Sequence, residues 1–283
     1  MFSTPILFII FNRPDHTEKV IENFRRVKPA RVYVAADGPR EGNAKDKELC
    51  ERTRSLIDTI DWPCEVKKLY RTANLGCGKA VSQAISWFFD NEEMGIVLED
   101  DILPDLSFYS YCADLLDRYK NDEQIMHING CNFQQGVVRG EGSYYFSAFP
   151  HVWGWAGWRR AWKKYEFNLS DINYFYNLDK LNYYFNNKKA KASWYEIFFK
   201  MNQKMIDTWD YQWNYAIWKN QGKVITPNVN LISNIGFGAN ATHTFDSDNK
   251  FSNLATSFLK ITTHPKERRI DSEADKFTIE YTS

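Results

Sequence analysis

GIVLEDDILPD, residues 95–105, joins an apolar run of strand length to three consecutive carboxylates, Glu99, Asp100 and Asp101. Adjacent carboxylates repel. A strand that ends in three of them must leave them to water, use them to cap the helix that follows near residue 106, or gather them round a positive charge. Two or three carboxylates at a strand end suit a hard divalent cation, which takes oxygen ligands and keeps positions open for further oxygens such as those of a diphosphate.

Runs of similar length stand before it: PILFIIF at 5–11, RVYVAAD at 31–37 and CEVKKLY at 64–70. Helical patterns separate them, DHTEKVIENFRRV at 15–27, a charged stretch at 45–60 and KAVSQAISWFF at 79–89, with a further helix near 106–119. Apolar strands alternating with helices predict βαβ units and an α/β fold whose mostly parallel central sheet is flanked by helices. In such sheets ligands sit beyond the carboxyl ends of the strands. Each run here ends in polar residues: Asn12 and Arg13 after the first, Asp37 after the second, Arg71 and Asn74 after the third, and the acidic trio after the fourth. The four ends predict one crevice.

The second half changes character, with the Trp- and Tyr-rich HVWGWAGWRRAW at 151–162, helical stretches near 171–186 and 190–207, and NIGFGANATHT at 234–244. The expected organisation is an α/β half at 1–143, to which the resemblance described below assigns nucleotide-sugar binding, a half at 144–245 packed on it, to which it assigns acceptor binding and catalysis, and a charged tail at 246–283 without a clear pattern. With 283 residues and 43% hydrophobic content the chain can bury a sizeable core. Lys plus Arg and Asp plus Glu each number 36, so no net field draws it toward nucleic acid or an anionic surface. Five cysteines without CxxC spacing predict reduced thiols in a cytoplasmic setting. The apolar run at 5–11 is too short to span a bilayer and has no signal-peptide flanks. The sequons at Asn168 and Asn240 then read as chance matches.

VLEDDILPDLSFYSYCADLL, residues 97–116, resembles the metal-binding acidic segment of the GT-A glycosyltransferases, above all glycosyltransferase family 13, the N-acetylglucosaminyltransferase that begins complex N-glycans. FNRP (11–14) and DGP (37–39) resemble that family's nucleotide-contacting strand ends, and NLGCGKA (74–80) resembles a helix start shared with family 2. INGCN (128–132), WGWAGW (153–158), WDYQW (209–213) and GFGANATHT (236–244) resemble its later acceptor, base and metal-loop segments, so the resemblance covers about residues 4–245.

The resemblance implies a GT-A type nucleotide-diphospho-sugar transferase fold and a set of roles. Asp101 would bind the metal, Asp100 would hold the ribose or a metal-bound water, and Glu99 would anchor the strand end. Asp37 would accept a hydrogen bond from the base ring NH, which uracil and guanine both offer; the family habit favours UDP. Asn12, Arg13, Arg71, Asn74 and Lys79 would line the nucleotide or its phosphates, with Gly76 and Gly78 leaving the helix start open to an anion. His243 would order over the donor as a second metal ligand, in a loop freed by Gly236 and Gly238. Inverting transfer needs a carboxylate to take the acceptor proton, and Asp210 is the candidate. Tyr211 stands where the family has a second Asp, and Glu196 or Asp207 would substitute if Asp210 only caps a helix. Trp153, Trp155 and Trp158 do not share one helical face, which divides them between the core and stacking on an acceptor sugar.

The expected function is a metal-dependent (Mn2+ or Mg2+), inverting glycosyltransferase that moves a sugar from a UDP-sugar to a glycan or lipid-linked acceptor, in the setting of bacterial surface polysaccharide synthesis. Peripheral membrane contact is compatible with it; a transmembrane segment and nucleic acid are not part of it. A retaining transferase would need no base at Asp210. A catalytically dead module would bind nucleotide or glycan without turnover. A sugar-1-phosphate nucleotidyltransferase would carry a Gly-rich, Arg-containing loop after the first strand, where FNRPDH stands instead.

Overall fold

The structure, a computed structural model, describes residues 1–185, 187–237 and 249–282. The chain runs β1 (Ile6–Ile10), α1 (Pro14–Val27), β2 (Arg31–Ala36), α2 (Ala44–Ser55), β3 (Glu65–Tyr70), α3 (Cys77–Asn91), β4 (Met94–Glu99), β5 (Ile102–Pro104) and α4 (Ser107–Arg118). It continues through β6 (Ile125–Asn129), β7 (Tyr144–Ser147), β8 (Trp155–Trp158), α5 (Arg159–Trp162), α6 (Ile172–Asn177), α7 (Lys188–Asn202), α8 (Asp210–Lys219), β9 (Lys223–Pro227), β10 (Ile232–Asn234) and α9 (Ser272–Thr282). The apolar runs that predicted strands form β1 to β4, and the helical patterns between them, the charged stretch included, form α1 to α3. The expected helix at 171–186 is shorter, α6 followed by a 3-10 turn at Lys180–Tyr183.

Eight strands make one sheet in the order β3-β2-β1-β4-β8-β6-β9-β7. β3, β2, β1 and β4 run parallel, with Phe8 beside both Val34 and Leu98. β8 enters antiparallel between β4 and β6, β9 runs parallel to β6, and β7 closes the edge antiparallel to β9. This is a mixed α/β fold with a large, mostly parallel central sheet flanked by helices, the architecture expected of the GT-A type. Both faces are covered. Val20, Ile21, Phe24, Leu115 and Leu116, from α1 and α4, bury one face. Ile85 and Phe88 of α3 and Trp213, Ile217 and Trp218 of α8 bury the other. The stretch 144–245 thus supplies β7, β8 and β9 to the sheet begun by the first half. Among the described residues no helix is long and apolar enough to cross a membrane, and the five cysteines are free thiols.

The charged segment from 249 onward returns along the sheet. Phe251, Leu254, Leu259 and Ile261 pack on the core. α9 packs through Ala274, Ile279 and Tyr281 and is fastened by polar groups as well. Asp275 accepts from Ser147 Oγ at 2.6 Å and from the amide of Ala148 at 3.0 Å, and Gln134 Nε2 donates to the Ala274 carbonyl at 3.1 Å. Burial pushes the Asp275 carboxyl up to about 7. A carboxyl whose pKa rises on folding from about 4 binds more protons in the native state, so its contribution falls as pH rises from about 4 through 7 and then levels off. Asp275→Asn should flatten that slope in melting temperature measured between pH 4.5 and 7.5. Identical slopes in the two proteins would remove Asp275 as its source.

Candidate active site

The parallel register brings the ends of β3, β2, β1 and β4 side by side, and hydrogen bonds between segments far apart in sequence hold them there. The positive charge that the acidic trio requires is Arg13. Its Nη1 donates to Asp101 Oδ2 at 2.6 Å and lies 3.7 Å from Asp100 Oδ1. Asp100 also accepts from the amide of Phe11 at 3.1 Å, closing the step from β1 to β4. The Arg13 and Asp101 side chains are only 14% and 16% exposed, so water screens the pair weakly.

One guanidinium does not neutralise three carboxylates. Glu99 is held above the usual carboxylate range by burial first, then by the charges of Asp101 and Asp100, with Arg13 opposing and Asp210 adding to the shift. Asp100 is also raised, by burial and Asp101 against the pull of Arg13 and the Phe11 amide. Burial works against the charge on Arg13, yet Asp100 and Asp101 hold it above its ordinary value. The tip of β4 therefore holds more carboxyl groups than Arg13 can neutralise, and Glu99 and Asp100 answer by holding protons more tightly than free carboxyls do. β10 pairs antiparallel with β5 immediately after the trio and carries residues 235–237 across it. The Ile235 amide donates to the Asp101 carbonyl at 2.9 Å, and a Cβ on Gly236 would lie 2.1 Å from Asp101 Oδ2, so a side chain there would displace the carboxylate. GFGANATHT thus begins in contact with Asp101. Gly238 and His243 lie outside the described residues.

The remaining predicted residues fall into two groups. Asp37 and Asn74 work together on the loop after β3: Asp37 accepts from the Leu75 amide at 2.9 Å and from Gly38 at 3.0 Å, while Asn74 Nδ2 donates to the Gly38 carbonyl at 2.8 Å. Burial raises the Asp37 carboxyl, opposed by these amides and by Arg71. Arg71 is half-buried, its pKa lowered by burial with Asp37 opposing. Asn12 donates to Asp46 at 2.9 Å, and Lys79 is exposed on the first turn of α3. Trp153 is half-buried and edge-on to Phe237 at 5.6 Å. Trp155 and Trp158 are 1% and 2% exposed and belong to the core.

Asp210 opens α8 with its carboxylate fixed locally, accepting from Thr208 Oγ1 at 2.5 Å and the Tyr211 amide at 3.0 Å. Its charge is felt at Glu99. It is felt again at Cys77, whose thiol is pushed up to about 12 by burial and then by Glu99, Asp207, Asp210 and Asp37. Carboxylates from β2, β4 and the start of α8 therefore surround the N-terminus of α3. The anion expected at that helix start is already there: Asp207 accepts from the amides of Cys77 at 3.1 Å and Gly78 at 3.0 Å. Glu196, the other fallback base, is exposed on α7 and paired with Lys200 at 2.6 Å.

Three supports escaped the sequence reading. Asp46 is 2% exposed and holds both Asn12 and Arg40. Arg40 in turn lies over the Phe11 ring at 5.8 Å. Arg54 Nη2 donates to the carbonyls of Asp37 at 2.9 Å and Arg71 at 2.7 Å, tying β2 to β3. The only local hint was an acid and two arginines in an otherwise ordinary charged stretch.

No protein-family pattern matches the sequence, and no curated protein does. Among solved structures the chain is similar to S. aureus TarS 1-349, with 11% identity and a TM-score of 0.43 over 81% of this chain and 58% of that one. It is similar to GalNAc-T7 with UDP, GalNAc and Mn2+, with 16% identity and a TM-score of 0.42 over 80% of this chain and 42% of that one. It is also similar to an apo UDP-glucose pyrophosphorylase, with 9% identity and a TM-score of 0.39 over 79% of this chain and 89% of that one. The chain spans 58% of the length of TarS 1-349 and 42% of that of GalNAc-T7. Likeness of this degree leaves the site to be judged on its own geometry.

Replacing Arg13 by Met should leave Asp100 and Asp101 uncompensated at a cost of about 3 kcal/mol, read from urea unfolding at pH 8. The cost should shrink at pH 5, because the raised carboxyls of Glu99 and Asp100 take up protons as pH falls and then no longer need the guanidinium. A loss equal at both pH values would mean that Arg13 does not act through their charge.

Proposed function

We propose that this chain is a metal-assisted glycosyltransferase that takes a sugar from a nucleoside diphosphate, UDP by preference, and passes it to a hydroxyl of a glycan or lipid-linked acceptor with inversion. The observation that carries this reading is that hydrogen bonds draw Asp37 and the turn before Asp210 to the 75–78 start of α3, Asp37 through the Leu75 amide and Asp207 through those of Cys77 and Gly78, on the same sheet edge as the Arg13–Asp101 pair.

Hard carboxylate oxygen donors suit Mn2+ or Mg2+. Asp101, assisted by Asp100, would hold the ion. Among the described residues no three His, Cys, Asp or Glu side chains come together as a metal centre, so diphosphate oxygens and water would complete the shell. A bound cation of this kind would supply Lewis-acid stabilisation of the departing diphosphate. The chain's own part is orientation and proton transfer. Asp37, on the rim of β2, suits the base ring NH. Asp210 takes the proton of the acceptor hydroxyl while that oxygen bonds to the anomeric carbon and the bond from that carbon to the diphosphate breaks. A second reading, favoured by the close contact of Arg13 with Asp101, keeps the same chemistry with the guanidinium as the cation beside the phosphates.

UDP release from a panel of UDP-sugars with acceptor glycans, in manganese and in chelator, tests both. Asp101→Asn should lose the metal-dependent part of activity. Asp210→Asn should keep nucleotide binding and lose about 10²- to 10⁴-fold in turnover. Full activity in chelator would favour the guanidinium reading, and near-normal turnover in Asp210→Asn would exclude it as the base.

A further inference from the structure

We infer that Asp207 is a positioning residue for the proposed base: by clipping the start of α8 to the N-terminus of α3, it sets where Asp210 stands relative to the tip of β4. The inference rests on the reading of Asp210 as the base. It is carried by an interaction that spans 130 residues of sequence. The first amides of a helix have no partner within it, and Gly76, which precedes α3, makes no side-chain cap. Asp207 supplies the cap from outside, one oxygen to the Cys77 amide at 3.1 Å and the other to the Gly78 amide at 3.0 Å.

The helix start is shaped to admit that carboxylate. A Cβ on Gly76 would lie 2.7 Å from Asp207 Oδ2. A Cβ on Gly78 would lie 2.8 Å from Asp207 Oδ1 and 2.7 Å from the Thr208 carbonyl. Either side chain would push the 207–208 segment away. That segment is what aims Asp210, because Thr208 Oγ1 donates to Asp210 Oδ1 at 2.5 Å and the Thr208 carbonyl receives Gln212 Nε2 at 3.0 Å. Trp209 is buried and stacked on Trp155 at 6.1 Å, which fixes the far side. Asp207 and Trp209 thus hold the two ends of the short turn that presents Asp210. A general base displaced by about 1 Å can lose about 10²-fold in rate without losing substrate affinity.

The test uses the full chain and separates kcat from binding. Asp207→Ala should lower kcat for UDP release tenfold or more, while KM for the donor and affinity for UDP with Mn2+ stay within threefold. Asp207→Asn, which keeps one acceptor oxygen, should fall between. Tighter UDP binding in Asp207→Ala would mean that the carboxylate blocks a phosphate seat, and would overturn the inference. So would an unchanged kcat in Asp207→Ala beside an inactive Asp210→Asn, which leaves the base standing. Near-normal turnover in Asp210→Asn removes the base itself, and the positioning role with it.

Discussion

Three carboxylates at the end of a buried strand are an electrostatic problem, and the solution organises this molecule. The β4 tip is enclosed by β1, β10 and residues 235–237, so water screens its charges weakly. Arg13 meets part of the demand from the end of β1. The remainder shows as raised carboxyl pKa values at Glu99 and Asp100. Carboxyls that hold protons for want of a second positive charge are placed to exchange those protons for a cation.

The sheet order makes that crevice possible. β1 lies between β2 and β4, so the residues leaving the strand tips fall into one row, and the βαβ crossovers put α3 directly behind them. β8 then reverses direction beside β4, taking the chain away and bringing it back as α8. The N-terminus of α8 faces the same edge. One edge of the large sheet therefore gathers the acids that end β2 and β4, the turn that holds Asp210 and the separate strand pair β5–β10 that covers Asp101.

Much of this was legible in the sequence, for a physical reason. Strands buried on both faces read as unbroken apolar runs, and PILFIIF, RVYVAAD and GIVLE advertise themselves without reference to anything distant. The strands of the second half do not. β6 carries His127 and Asn129 fully buried, β8 is four residues of Trp, Ala and Gly, and their places depend on pairing with β4 and with one another. The same distinction divides the site residues. Asp37, Asp100 and Asp101 stand out as candidates because they end recognisable strands. The partner of Asp101 could not be read locally, because Arg13 lies 88 residues away. Nor could the occupant of the α3 start, where glycines that look open to a phosphate receive Asp207. The tryptophans mislead in the opposite direction: Trp155, Trp158, Trp209 and Trp213 are all nearly fully buried, so most of that aromatic wealth fills the interior.

The proposed function requires the β4 tip to hold a divalent cation together with a nucleoside diphosphate. Electron paramagnetic resonance of free Mn2+ tests it most directly, titrating the ion against UDP alone, the chain alone and the two combined. A fall in the free-ion signal to one equivalent per chain, beyond what UDP alone removes and abolished by Asp101→Asn, is the expected result. A signal in the combined sample no lower than the sum of the separate effects, or one unaltered by that substitution, would contradict a cation site at the end of β4.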